Sequence, residues 1–342
     1  MPDETASTNV PDRDVALSKM SNSGQSSPSE PTLQASEGSH AIQILMRATE
    51  PVSTGQLANR LVALECKVCP GVGRPPHLHR EEDEMFYVLE GQLTYLLNDQ
   101  IGIANPGASF YVPPRTIHAW RNDGSSDARV LVITRNEKIE RFFESWSIDL
   151  SRGVSDTASI QRLCQEHDTE LFAETSEFAK PAKKLGTQDE TVPTPAAAFL
   201  RPVSKQKSPP LQVFGIQIEI LLSGDETSDT HCVYQLEIPP QAGLPLYLNK
   251  RALESLYITS GQFELMIHGR KHRLQAGDFV SIPPGVEHGL RNIGETTGYV
   301  FGQSVPAGNE KFFQLIDRLS REGQLSQSAL AKAFRDHGIE PA

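Results

Sequence analysis

Two histidines two residues apart, His77 and His79, stand in the segment GRPPHLHREEDEMFYVLEG, followed by Glu84 and Gly91. On an extended chain, side chains at i and i+2 leave the same face, so both imidazoles can converge on one ion. Glu84 comes after a short connection, at the start of the next strand-like run. A third histidine, His118, arrives from GASFYVPPRTIHAWRN. Three imidazoles and one carboxylate suit iron, manganese, nickel, copper, cobalt or zinc. The expected occupant is one mononuclear divalent transition metal. The run Glu81, Glu82, Asp83, Glu84 leaves the choice of carboxylate open.

An internal repeat decides it. Adding 170 to a residue number carries Tyr87 to Tyr257, Gly91-Gln92 to Gly261-Gln262 and Gly107 to Gly277. It also carries Pro113-Pro114 to Pro283-Pro284, His118 to His288, Arg121-Asn122 to Arg291-Asn292 and Phe142-Phe143 to Phe312-Phe313. Even His167 and Glu170 fall on His337 and Glu340. The chain is a duplication. Under this offset the four acids meet Arg251, Ala252, Leu253 and Glu254, so only Glu84 keeps its chemistry. The other three acids read as a solvated turn.

The elements that must hold these residues are β-strands. FYVLE, LTYLL, SFYVPP and RVLVIT are short runs separated by Gly, Asn-Asp or Pro-Gly signals, the pattern of a sandwich or barrel. Each copy ends in a helix-like stretch, near 158–172 and near 309–337. Residues 1–37 are rich in Ser, Pro, Thr and acids and read as a flexible tail. The expected domains are 38–150, with the metal site, and 211–308, with a degenerate one. Residues 151–210 form a helical flank and linker, and 309–342 the C-terminal helices. The two barrels are expected to pair within the chain, with the terminal helices crossing between them.

These motifs carry a resemblance. His77-x-His79-x4-Glu84-x6-Gly91 is similar to the first motif of the cupin superfamily, and Gly107-x5-Pro113-x4-His118-x3-Asn122 to the second. The second departs only where Arg115 replaces the usual Gly. The resemblance covers most of 40–150 and 210–310 and implies an all-β fold of two tandem cupin barrels (double-stranded β-helix, or jelly roll) with short flanking helices. A bicupin of this length resembles the quercetinase (flavonol dioxygenase) group. That resemblance implies a mononuclear metal, iron first and copper next, that binds the substrate's enolate oxygen and O2. It further implies His77, His79 and His118 as neutral ligands, and Glu84 as ligand and general base toward a small-molecule substrate. Two other readings stay open: a non-oxidative metal enzyme (isomerase, cyclase or decarboxylase) and a non-catalytic ligand-binding cupin.

In the second copy Tyr247 and Asn249 stand where His77 and His79 stand, while Glu254 and His288 persist. Phe86 shares the strand face of Glu84, and Trp120 that of His118, with Leu256 and Leu290 as counterparts. They read equally as aromatic pocket walls or as barrel filling.

Composition narrows the partners. Lys and Arg total 32 against 43 Asp and Glu, a net charge of −11, which argues against nucleic acid and anionic membrane surfaces. No apolar run reaches the roughly 20 residues of a membrane span, and the N-terminus lacks the marks of a secretory signal. A cytoplasmic location is expected. Four cysteines are too few for a disulfide framework in 342 residues. Cys66 and Cys69 form a C-x-x-C whose reading here is structural, because zinc needs a second ligand pair and none is in sequence reach.

Overall fold

Strand-forming runs lead into one another through tight turns across most of the chain. The computed structural model describes residues 16–18, 42–44, 62–98, 100–134, 142, 145, 157–167, 169–172, 198–201 and 209–341. Two short strands come first, β1 (Ala16–Ser18) and β2 (Ile42–Ile44). Barrel one follows as β3 (Val62–Val68), β4 (Gly73–His79), β5 (Glu84–Glu90), β6 (Leu93–Leu97), β7 (Gln100–Ala104), β8 (Ser109–Val112), β9 (His118–Arg121) and β10 (Ala128–Thr134). Helix α1 (Thr157–Glu166), β11 (Thr169–Leu171) and β12 (Phe199–Arg201) lead out of it.

Barrel two opens with β13 (Leu211–Val213), β14 (Ile216–Leu222), β15 (Cys232–Ile238), β16 (Gly243–Asn249) and β17 (Leu253–Ser260). It continues with β18 (Gln262–Ile267), β19 (Arg270–Gln275), β20 (Phe279–Ile282), β21 (His288–Asn292) and β22 (Gly298–Val305). Helices α2 (Asn309–Arg321) and α3 (Gln327–His337) and strand β23 (Ile339–Pro341) close the chain.

Each barrel is two facing antiparallel sheets. In barrel one the orders are β12-β8-β5-β10-β3-β2 and β11-β4-β9-β6-β7; in barrel two they are β1-β20-β17-β22-β15-β14-β13 and β19-β18-β21-β16-β23. The period of two sorts the side chains. Along β6, Leu93, Tyr95 and Leu97 enter the barrel-one core, joined there by Leu64, Cys66, Phe86, Phe110, Trp120 and Val130. Burial pushes the Cys66 thiol up to about 12, and Cys69 packs partly buried against the same cluster.

Matching turns fix matching geometry. Asn122 donates from Nδ2 to the carbonyls of Val68 and Ser126, and Asn292 to those of Ile238 and Thr296. Arg115, where the motif has Gly, adopts φ 63° and sends its N–H to the His79 carbonyl at 2.6 Å. Its counterpart Gly285, at φ 80°, does the same to Asn249 at 2.7 Å. The left-handed conformation is thus kept with arginine, at a steric cost of about 1–2 kcal/mol.

Three expectations need correction. The stretch 158–172 is not wholly helical, because Thr169–Leu171 pairs with β4, and its counterpart Ile339–Pro341 pairs with β16. An edge strand with open hydrogen-bonding groups captures these residues before the helix can extend. The tail reading of 1–37 fails for Ala16–Ser18, which pairs with β20 of barrel two; its other residues lie outside those described. Finally, α2 and α3 pack within barrel two, where Phe312, Phe313, Ile316, Ala333 and Phe334 join its core. The elements that reach across are strands. β1 precedes barrel one yet extends a sheet of barrel two, while β12 precedes barrel two yet extends a sheet of barrel one.

Candidate metal centre

His77 and His79 lie on β4 and both are buried, at 1% and 4% exposure. Pro75-Pro76 interrupts the ladder between β4 and β9 just before them, because proline cannot donate, and pairing resumes at His77 opposite His118. Glu84 opens β5 and His118 opens β9, so the four residues meet at one end of the barrel. One ligand atom from each lies within 4.8 Å of all the others. Glu84 bridges the group: its Oε2 is 3.0 Å from His118 Nε2 and its Oε1 3.5 Å from His79 Nε2.

The electrostatics suit ligation. Burial first, then the neighbouring His118 and Arg74, hold the His77 pKa well below the ordinary imidazole value, so its ring is neutral. Burial alone would raise Glu84, but His79 and His118 outweigh it and keep the carboxyl well below its usual range. His77 Nδ1 lies 2.8 Å from the Pro75 carbonyl and His118 Nδ1 3.0 Å from the Thr116 carbonyl. A carbonyl only accepts, so each Nδ1 carries a proton, and Nε2 is the nitrogen left to offer a lone pair to a metal. His79 Nε2 is buried without a hydrogen-bond partner. An orphaned imidazole nitrogen among two further nitrogens and a carboxylate fits a transition metal, with His77, His79, His118 and Glu84 to hold it.

The acid run divides differently from the sequence reading. Glu81 is exposed, as a solvated turn requires, but Glu82 and Asp83 are each 2% exposed. Asp83 Oδ2 accepts from the Tyr111 hydroxyl at 2.9 Å, and Glu82 Oε2 lies 3.8 Å from His79 Nδ1. The signal was present in the repeat, since apolar Ala252 and Leu253 at the matching positions mark inward-facing sites. Sequence reasoning also missed Thr169, whose Oγ1 is 3.2 Å from His79 Nδ1.

Phe86 and Trp120 sit beneath the group, with the Phe86 ring 6.4 Å from the His118 ring and 6.3 Å from Trp120. Phe86 stacks on Phe110 at 4.4 Å, and both residues belong to the buried core. A cleft of about 550 Å³ lined by Arg80, Gln161, Gln165, Thr169, Glu170 and Leu171 opens on the β11 side.

Barrel two holds a different arrangement at the matching place. The Tyr247 hydroxyl donates to Glu254 Oε1 at 3.0 Å, as does the Asn309 amide from the start of α2. His288 Nε2 is 3.3 Å from Glu254 Oε2. The Asn249 amide donates to Asn309 Oδ1 at 3.0 Å. Tyr247, Glu254, Asn309, Phe312 and Phe313 line a cavity of about 10 Å³, room for a single water.

Two barrels of this topology, one with a His3Glu group, define the class. The family model for the cupin domain matches residues 64–134 and again 234–301. The chain is a bicupin. It is 22% identical over 249 residues to quercetin 2,3-dioxygenase of Bacillus subtilis, spanning 71% of this chain and 72% of that one. Among solved structures, a glyoxylate-induced protein of Pseudomonas aeruginosa superposes with a TM-score of 0.51 at 13% identity, over 78% of this chain and 80% of that one. Oxalate decarboxylase of Bacillus subtilis superposes with a TM-score of 0.47 at 19% identity, over 83% and 80%. The likeness to the Pseudomonas aeruginosa protein speaks for the fold alone. Among the described residues, no helix is long and apolar enough to cross a membrane.

Proposed function

We propose that this bicupin is a metal-dependent dioxygenase acting on a flavonol-like or other enolisable aromatic small molecule. The observation that carries the reading is the His3Glu group itself, with Glu84 buried between His79 and His118 where it can both ligate a metal and take a proton. The relation to quercetin 2,3-dioxygenase supports the substrate class. When bound, a divalent transition metal, iron first among the candidates, would supply Lewis acidity and the chemistry of O2. His77, His79 and His118 would hold it through their ring nitrogens. Glu84 accepts the proton of the substrate's hydroxyl, leaving an enolate. Phe86 and Trp120, packed in the core beneath the group, back the ligating side chains, and that core keeps bulk water from the reacting atoms.

The test loads the purified protein with Fe2+, Cu2+ or Mn2+ and follows oxygen uptake on a panel of flavonols. Turnover should accompany oxygen consumption, and Glu84→Gln should lower it by about 10²–10⁴-fold. The amide retains an oxygen donor, so metal should be retained in part. Conversion of a substrate without oxygen would replace this reading with a non-oxidative one, an isomerase, cyclase or decarboxylase. Ligand binding without any turnover would leave a binding protein.

A further inference from the structure

We infer that Thr169 is a positioning residue of the metal centre, fixing the tautomer and ring orientation of His79 through a hydrogen bond from outside the cupin motifs. The inference rests on reading His77, His79, Glu84 and His118 as a metal site.

Each ligating imidazole must turn one nitrogen inward and find an acceptor for the other. His77 and His118 use the backbone carbonyls of Pro75 and Thr116. For His79 that place is taken by the Thr169 hydroxyl, 3.2 Å from Nδ1. A hydroxyl can donate or accept, so its own donor direction matters. Thr169 donates to the His167 carbonyl at 3.4 Å, which leaves its lone pairs facing His79. The proton therefore sits on His79 Nδ1, which leaves Nε2, 3.5 Å from Glu84 Oε1, as the nitrogen that would ligate the metal. Glu82 Oε2, at 3.8 Å from the same Nδ1, favours the proton there electrostatically.

Barrel two supplies an independent comparison. In barrel one the strand register sets Thr169 opposite His79, and in barrel two it sets Ile339 opposite Asn249. Where the imidazole is gone, the hydroxyl is gone with it, and an apolar side chain at 4% exposure fills the place. Glu82 changes in the same way, to Ala252. Hydroxyl and buried carboxylate thus occur only where an imidazole needs its outer nitrogen held.

The experiment strips the full-length protein of metal and titrates it with Co2+, following the ligand-field absorption. Wild type, Thr169→Val and Thr169→Ser are compared, with thermal melts of the metal-free forms alongside. Valine keeps the shape, and Ile339 shows that the register accepts an apolar residue, so the metal-free melts should coincide. Loss of an outer-shell partner typically weakens metal binding 10–100-fold. The valine variant should lose Co2+ affinity by about that factor and shift the absorption band, while serine restores both. Equal affinity in wild type and Thr169→Val overturns the inference and leaves the centre standing. Absence of Co2+ binding by the wild type overturns the centre and the inference together. If the valine variant does not fold, Thr169→Ala takes its place, and equal affinity there is equally decisive against the inference.

Discussion

Glu84 and Glu254 occupy corresponding positions, yet their charges are balanced by different means. Glu84 lies among imidazoles that are suited to share a cation, whereas Glu254 takes donors from Tyr247 and Asn309 and an imidazole from His288. Purified protein should therefore carry about one transition metal per chain, and His79→Ala should remove it. Metal analysis near two equivalents, with half surviving that substitution, would mean that barrel two also works. His288 adds a dependence on pH. Burial by itself would lower its pKa, but Glu254 outweighs burial and raises it above the ordinary 6.5. The folded state then holds the proton more tightly than the unfolded chain does. The resulting stabilisation is complete below about pH 6.5 and is lost as pH rises through the raised folded value. The gap in melting temperature between wild type and His288→Gln should shrink as pH rises above about 6.5. A gap independent of pH would rule this out.

At the scale of elements, helix α2 decides the fate of the second site. Its amphipathic face lays Phe312, Phe313 and Ile316 into barrel two, each no more than 4% exposed. Its first residue, Asn309, then reaches Glu254. The apolar face does the anchoring, because buried aromatic side chains dominate such packing. Phe313→Ala should cost about 3–5 kcal/mol, read as a lower urea midpoint for barrel two. It should leave metal binding in barrel one unchanged. A loss under 1 kcal/mol would show that the helix is held by something other than its buried face. The crossed strands β1 and β12 belong to the same scale, since each satisfies the open edge of the other half's barrel.

Across the whole molecule, one hydrophobic cluster draws Met85, Tyr87, Tyr111 and Leu131 from barrel one and Val233, Tyr257, Phe279 and Phe301 from barrel two. Its polar contacts repeat under the same offset as the sequence. Tyr87 donates to Gln235 at 2.9 Å, and Tyr257 donates to Glu65. Residue 65 corresponds to 235 and 87 to 257, so each tyrosine meets the counterpart of the other's partner, as in an isologous dimer. The symmetry is broken only in charge: Glu65 is 1% exposed and pairs with Arg129 at 2.7 Å. Because copy two already uses an amide there, and Arg129 is 34% exposed and keeps Glu90 as a partner, Glu65→Gln should stay within about 1 kcal/mol of wild type. Glu65→Ala should cost about 1–3 kcal/mol by stranding the Tyr257 hydroxyl. Chemical denaturation of both variants checks the pair, and a large loss in the glutamine variant would show that the charge itself is required.

What the sequence determined by itself is the repeated architecture and the ligand set. Strand periodicity and the constant offset are local or one-dimensional signals, so His77, His79, Glu84 and His118 could be named from spacing, and Tyr247 and Asn249 marked the second copy as altered. The offset also told which of four acids faced the others. It was misread for Glu82 and Asp83, whose apolar counterparts already indicated burial. Tertiary structure decided the rest. That Thr169 holds His79 depends on a strand returning across some 90 residues to an open edge, and no local pattern encodes which edge it finds. That Asn309 reaches Glu254, and that β1 and β12 exchange between barrels, are likewise outcomes of packing. Hydrogen-bonding groups on a sheet edge are satisfied by whichever segment arrives, and only the assembled barrels determine which segment that is.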